Sequence, residues 1–274
     1  MTTYPHQAAV PEVIILDWAG TTVDFGCLAP VQALLTIFAS RGISLDSEEA
    51  RGPMGLEKLA HLRSLLALPN VTEQWQKLHG ESPDETDTLA LYARFREVQL
   101  SILPQHADLV PGWLEALAEL REQGLRIGSN SGYDAEMMQV LTVRAAASGY
   151  APDTVVCSED VAHGRPHPDM AWKAAMRLGA RAAHVCVKVD DTPAGVEEGR
   201  NAGMWSVGVT DSGNEVGLPL QTWKALPAAK AQERREQAAH RLRAAGAHEV
   251  VDTVANLGAA VARIASRLRA GERP

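Results

Sequence analysis

Short apolar runs alternate with helical periodicities along most of the chain, and the first run is the clearest. Val13-Ile14-Ile15-Leu16 is four apolar residues, three of them β-branched, and reads as a strand buried on both faces. It runs straight into Asp17, and Gly20 then allows a sharp turn. From Ala29 to Arg41 the apolar positions Val31, Leu34, Leu35 and Phe38 repeat with a helical period that stops at Gly42. Further helices are predicted near 47–49 and over about 56–66, 72–79 and 84–103, with no strand among them, and Pro104 ends the block.

From Pro111 the texture changes. A helix over 113–123 is followed by a strand over 125–128 that ends in Ser129-Asn130-Ser131-Gly132. Then come a helix to about 148, a strand over 154–157, a helix over 168–178, a strand over 184–189, a helix from 193 and a strand over 205–209. Such βαβ alternation requires a parallel sheet wrapped by helices. The fold class is therefore α/β, a doubly wound parallel sheet with an inserted all-helical cap. The expected division is a core of residues 1–27 and 105–274, and a cap of residues 28–104 over the carboxyl edge of the sheet. Residues 1–11 read as a loose leader. The charged helical stretch 219–246 carries Arg234, Arg235, Arg241 and Arg243, expected to form a solvated face. A last strand over 248–251 and a last helix over 253–268 complete the chain.

Composition narrows the partners. Of 274 residues, 46% are hydrophobic and 22% charged, the proportions of an ordinary soluble protein. A net charge of −8 argues against nucleic acid, whose phosphates require clustered lysine and arginine. A small anionic substrate stays possible, since a few cations inside a cleft override the global sign. Cys27, Cys157 and Cys186 cannot all pair and show no Cys-x-x-Cys spacing, so reduced thiols in a cytoplasmic protein are expected. No basic segment followed by a long apolar run opens the chain, and no stretch of about 18 apolar residues occurs, so neither a signal peptide nor a membrane span is expected.

Four strand ends offer polar groups to one crevice, where ligands of open α/β sheets bind. Asp17 comes from the first and Ser129 and Ser131 from the second; Arg165 follows the third, and Asp190-Asp191 ends the fourth. Taken alone, Asp17 would serve equally well as a turn or N-cap residue. Together, a carboxylate nucleophile, hydroxyl donors, a fixed cation and an acidic pair are what phosphoryl transfer through an aspartyl phosphate requires. The acidic pair with Asp17 would hold Mg²⁺, a hard cation suited to carboxylate oxygens. Arg165 would balance charge in the transition state.

At these residues the chain resembles the haloacid dehalogenase-like superfamily, whose pattern is Asp-x-Asp-Gly-Thr, a Ser or Thr strand end, a Lys or Arg and an acidic pair. The resemblance covers about residues 13–209 and implies that superfamily's Rossmann-like core, with Asp191 on the metal and Asp190 supporting it. One departure is informative. Ala19 stands where most phosphatases of the superfamily have a second Asp that protonates the leaving oxygen. Alanine has no proton to give, although its backbone carbonyl can still meet the metal.

A different leaving group needs different help, and the cap supplies Arg51-Gly52-Pro53-Met54-Gly55-Leu56-Glu57-Lys58 and His61. Lys58 is one of only six lysines, and in a dehydrated pocket a lysine can attack a carbonyl as the free amine. Asp-Trp-Ala-Gly-Thr-Thr-Val-Asp, the Arg-x-Pro-Met-Gly run with Lys58, and Asn-Ala-Gly-Met-Trp at 201–205 resemble one family within the superfamily, the phosphonoacetaldehyde hydrolases. The resemblance implies carbon–phosphorus cleavage through a Lys58 imine, Asp17 as phosphoryl acceptor, and a homodimer. The rival reading is a phosphatase or phosphomutase acting on a phosphate ester. Beside Lys58, His61 is either a proton shuttle or a helix-surface histidine, and Met54 either fills a core gap or lies against the active site. Tyr133 either orients a proton near Lys58 or caps the next helix, and Asp24 organises the hinge into the cap. Gly195 stands where relatives in the superfamily often carry a further acidic residue.

Overall fold

The computed structural model describes residues 10–274; the expected leader falls almost wholly outside them. Six strands form one sheet: β1 (Val13–Leu16), β2 (Arg126–Ser131), β3 (Thr154–Cys157), β4 (Cys186–Asp190), β5 (Trp205–Val209) and β6 (Glu249–Val251). All pairings are parallel, in the order β3-β2-β1-β4-β5-β6. β1 is thus the point where the strand order reverses, the place at which α/β sheets open a crevice. In register, Leu16 lies between Ser129 of β2 and Val189 of β4. Asp17 therefore leaves the sheet beside Asn130 and Asp190.

All four residues of β1 have no exposed surface. Val13 and Ile15 join the apolar cluster under α8 (Asp169–Arg177), while Ile14 and Leu16 join that of α6 (Trp113–Glu122), α7 (Ala135–Ala147) and α12 (Leu257–Arg269). This two-faced burial is why the strand reads as a continuous apolar run. α9 (Pro193–Asn201) and α11 (Ala228–Ala244) cover β4, β5 and β6, with α10 (Leu220–Ala225) leading into α11.

Between β1 and α6 the described chain is helical without a strand: α1 (Leu28–Ser40), α2 (Ser47–Arg51), α3 (Lys58–Leu66), α4 (Pro69–His79) and α5 (Glu85–Ile102). Capping sets their starts. Asp46 and Asp84 form capping boxes with Glu49 and Asp87, and Glu57 accepts from the amides of Leu59 and Ala60. α3 consequently begins at Lys58 rather than near Leu56. α4 begins three residues before the predicted start, at a proline suited to the first helical position.

Three other expectations are corrected. β2 extends to Ser131 because its polar end still pairs with β3, Ser131 opposite Cys157. Ala183–Val185 is a 3₁₀ turn, so β4 begins at Cys186. Of the arginines of α11, Arg234, Arg241 and Arg243 are exposed as expected, but Arg235 is half-buried and holds Asp211 through two bonds of 2.8 and 2.7 Å. No helix among the described residues is long and apolar enough to cross a membrane.

Candidate active site

The turn after β1 is built on one carbonyl. The amides of Thr21, Thr22 and Val23 all point at the Trp18 oxygen, at 2.8–3.1 Å. Gly20 adopts φ +87° there, and a Cβ on it would lie 2.3 Å from Asp191 Oδ2. Glycine is thus required both by the backbone and by the carboxylate packed against it. The Asp17 amide donates to the Val189 carbonyl, which holds the nucleophile candidate at the sheet edge.

Behind Asp17 lies a buried ionic network. Arg165 Nη2 donates to Asp17 Oδ1 at 2.7 Å and to Asn130 Oδ1 at 2.8 Å, and its Nε donates to Glu198 Oε2 at 2.9 Å. Lys188 Nζ sits 2.5 Å from Asp190 Oδ2 and 3.5 Å from Glu198 Oε2. Asn130 Nδ2 and the Ala171 amide satisfy the other Glu198 oxygen. Every side chain in this network is buried, and each charge has an opposite partner, as burial demands.

The carboxylates differ sharply. Asp17, Asp190 and Asp191 each bring an oxygen into one cluster, all within 4.8 Å of one another. Burial opposes ionisation of Asp190, yet Arg165 and Lys188 hold its carboxyl below the usual carboxylate range. Its Oδ1 meanwhile accepts from the amide and hydroxyl of Thr192. Asp191 accepts from Thr21 Oγ1 and the Asn214 amide at 2.9 and 2.7 Å, but pairs with no lysine or arginine among the described residues. Burial, reinforced by Asp17 and Asp190, pushes Asp191 well above the usual range. Asp17 is pushed by burial to about 6 despite Arg165. A buried carboxylate pair without enough protein cation is the donor set of a hard divalent ion. Asp17 and Asp191 fit such an ion; Asp190 is already engaged by Lys188 and Thr192. At Gly195 a Cβ would stand 1.9 Å from Asp190 Cγ, so the Asp190 carboxyl fills the space a side chain would need.

Opposite these groups the helical block covers a small pocket, lined among others by Asp17, Ala19, Met54, Lys58, Tyr133 and Arg165. Lys58 is 7% exposed although lysine is rarely buried. Its Nζ lies 4.0 Å from Met54 Sδ and 5.3 Å from the centre of the Phe95 ring. Burial lowers its pKa to about 8, and its place as first residue of α3 adds a helix dipole that also favours the neutral amine. Met54 therefore serves both expectations, packed in the core and touching the amine.

Ser131 lines the pocket and its Oγ accepts from the Tyr133 amide, while Ser129 faces Thr154 instead. Tyr133 does not cap α7; Asp134 does, through the Met137 amide. The Tyr133 hydroxyl instead accepts from Gln99 Nε2 of α5 at 3.0 Å. His61 is not a surface residue: it is fully buried, with Nε2 3.0 Å from the Ala50 carbonyl and Nδ1 without a partner among the described residues. Burial lowers its pKa to about 3, so the ring is neutral. Asp24 takes the N-terminus of α1 through the Ala29 amide and pairs with His106, which joins the start and the end of the helical block. Sequence inspection passed over Asn130, Lys188, Glu198 and Gln99. Lys188 carried one signal, a lone charge inside the apolar strand Cys186-Val187-Lys188-Val189.

Comparison with known proteins places this arrangement. The chain belongs to the haloacid dehalogenase-like hydrolases, whose family model matches residues 11–203. Within them it sits among the phosphonoacetaldehyde hydrolases. It is 46% identical to that of Hahella chejuensis over 263 residues, 96% of this chain and 90% of the relative. It is 43% identical to that of Pseudomonas aeruginosa over 269 residues, 98% of each. A crystal structure of a phosphonoacetaldehyde hydrolase-like protein from Oleispira antarctica matches with a TM-score of 0.96 at 44% identity, over all of both chains. The β-phosphoglucomutase of Clostridium difficile, at 16% identity and a TM-score of 0.64, shares the fold alone.

Proposed function

We propose that this chain hydrolyses the carbon–phosphorus bond of phosphonoacetaldehyde, giving acetaldehyde and phosphate. The observation that carries the reading is one pocket that holds Lys58 and Asp17 together, with Ala19 where an acid would be needed to release an alkoxide. Two phosphonoacetaldehyde hydrolases more than 40% identical over nearly the whole chain support it.

Lys58, as the free amine, attacks the aldehyde carbon, and loss of water leaves a protonated imine. Asp17 attacks phosphorus from the opposite side of the pocket. As the carbon–phosphorus bond breaks, its electron pair enters the imine and forms an enamine, so no free carbanion is expelled. Proton return to carbon and hydrolysis of the imine release acetaldehyde. Water then cleaves the aspartyl phosphate and frees phosphate. Arg165 holds Asp17 and faces the phosphoryl oxygens, and Ser131 adds a hydroxyl donor. Met54 touches the amine, Tyr133 lines the same pocket and neutral His61 lies one turn further along α3; together they keep the amine neutral and shielded from water. Mg²⁺ held by Asp17, Asp191 and the Ala19 carbonyl, with Asp190 in support, would neutralise charge between carboxylate and phosphonate.

In the same reading residues 28–104 form a cap that closes over the core of residues 1–27 and 105–274 and excludes water. The protein is cytoplasmic, all three cysteines being free and buried, and a homodimer, as the family resemblance implies; light scattering checks the latter. The functional test is phosphate release from phosphonoacetaldehyde with Mg²⁺, with borohydride added to trap the imine. Release, with the adduct on Lys58 and neither in Lys58→Arg, is expected. Turnover retained by Lys58→Arg would remove the imine and keep the substrate. Turnover of an aryl phosphate in place of the phosphonate would restore the ester phosphatase.

A further inference from the structure

One part of the cap motif has no place in the chemistry above. Arg51, last residue of α2, points away from the pocket into the loop after β5. Its Nη1 donates to the Gly26 carbonyl at 2.9 Å and to Asn214 Oδ1 at 3.1 Å, and its Nη2 donates to the Gly217 carbonyl at 3.1 Å. Asn214 Nδ2 returns a bond to the Arg51 carbonyl at 3.3 Å. The slot is shaped for the guanidinium: Gly217 has φ +65°, and a Cβ there would lie 2.7 Å from Arg51 Nε.

The loop that receives Arg51 also builds the catalytic edge. The backbone amide of Asn214 donates to Asp191 Oδ2 at 2.7 Å. Two residues earlier, Ser212 Oγ donates to the Gly20 carbonyl in the nucleophile turn, and the Ser212 carbonyl accepts from the Gly26 amide at the hinge. One short segment thus touches the cap, the hinge, the nucleophile turn and the Asp191 carboxylate. Asn214 is 2% exposed and joins both sides: its side chain holds the cap and its amide holds Asp191.

We propose that Arg51 and Asn214 form a closure latch, which couples seating of the cap over the pocket to the placement of the Asp191 carboxylate. This rests on the metal-binding reading of Asp191. When the cap opens, Arg51 leaves the slot and the Asn214 side chain loses its fork. The loop then relaxes, and with it the amide that orients Asp191. By linkage, whatever orders Asp191 also favours the closed cap, by the same factor. Arg51 is a positioning residue, since it touches neither substrate nor the reacting atoms. Arginine is required because only a planar fork reaches three acceptors at once.

Cys27 provides the readout. It lines the pocket under the cap and is 3% exposed, so alkylation of its thiol reports cap opening, compared among the intact protein, Arg51→Lys and Asn214→Ala, which keep the cation that Arg51 places beside Cys27. The experiment measures Mg²⁺ binding by calorimetry and Cys27 alkylation by peptide mass spectrometry, on the intact protein and on Arg51→Lys, Arg51→Ala and Asn214→Ala. Circular dichroism confirms that each is folded, and Arg51→Lys keeps the charge should Arg51→Ala fail to fold. In the intact protein Mg²⁺ slows alkylation. In the variants alkylation is faster, Mg²⁺ slows it less, and Mg²⁺ affinity falls by about fivefold or more, the lower end of ordinary coupling. Asn214→Ala retains the amide that bonds Asp191, so its loss of Mg²⁺ affinity separates coupling from simple loss of a donor. Unchanged Mg²⁺ affinity and unchanged alkylation in folded variants would overturn the latch and leave the metal site standing. Absence of Mg²⁺ binding to the intact protein would overturn the metal reading and the coupling together.

Discussion

Arg165 and Asp17 form a buried ion pair at 2.7 Å, and the guanidinium reaches Asp17 from a frame made by Glu198 and Asn130. The frame matters as much as the charge. Lysine at 165 would supply a cation without the fork that spans Asp17, Asn130 and Glu198. Arg165→Lys is expected to lower kcat by about 10²–10³, the loss typical of one preorganised transition-state donor. It is also expected to lower stability, because Glu198 loses a partner in a dry site. Steady-state kinetics well below the variant's Tm separates the two effects. A kcat within threefold of the intact protein would remove Arg165 from the chemistry.

Lys58 sets a pH dependence whose sign is fixed by its environment. Burial lowers its pKa from 10.5 to about 8, so raising the pH towards 8 frees the amine. If imine formation limits turnover, kcat/KM rises about tenfold per unit below pH 8 and then levels. The same shift stabilises the fold as pH rises from about 8 towards 10.5, because the unfolded lysine keeps its proton longer than the folded one. A pH profile of kcat/KM checks the first, and denaturant midpoints of the intact protein against Lys58→Met check the second. A flat profile between pH 6 and 8 would show that the amine is not titrating in that range.

Asp17, Ala19 and Lys58 were legible because each breaks a pattern: a carboxylate after four apolar residues, an alanine where an acid is usual, a lysine in an arginine-rich chain. The alternation of strands and helices was legible for the same reason, since two-faced burial writes itself as apolar runs. The ionic frame was not. Arg165 aside, its members Asn130, Lys188 and Glu198 come from β2, β4 and α9, and only the parallel register brings them together. The surface alternative for His61 failed because helix periodicity relates it to Lys58 but does not say what packs over it; the Ala50 carbonyl of α2 does. Arg235 was misjudged because its partners, Asp211 and Asp252, lie in two strand-end loops.

His61 gives a stability prediction of the same sense as Lys58, moved into acid. Its pKa is about 3 in the fold against 6.5 when free, chiefly through burial. Between those values the unfolded chain binds the proton and the folded chain does not, so stability is present above pH 6.5 and is lost as pH falls towards 3. His61→Gln keeps a donor for the Ala50 carbonyl and removes the titration. Its unfolding free energy is expected to fall less steeply between pH 6.5 and 4 than that of the intact protein. Parallel curves from urea titrations would show that the acid sensitivity lies elsewhere.

Gly195 tests how Asp190 is held. The Asp190 carboxyl occupies the space where a Cβ at 195 would be, 1.9 Å from its Cγ, while Lys188, Arg165 and Thr192 fix it from the other sides. The contact is with a buried charged group that has no free direction of retreat, so Gly195→Ala costs stability by overpacking, about 1–3 kcal/mol. The larger expected effect is on Mg²⁺ binding, because a displaced Asp190 pulls on Asp191 next to it in the chain. Gly195→Asp, which would bring in the acidic residue common at this place in the superfamily, is expected to weaken Mg²⁺ binding, since its carboxylate cannot enter without expelling that of Asp190. Calorimetry with Mg²⁺ decides the matter. Tighter binding by Gly195→Asp would mean that the two carboxylates share the site, and that Lys188 has moved to let them.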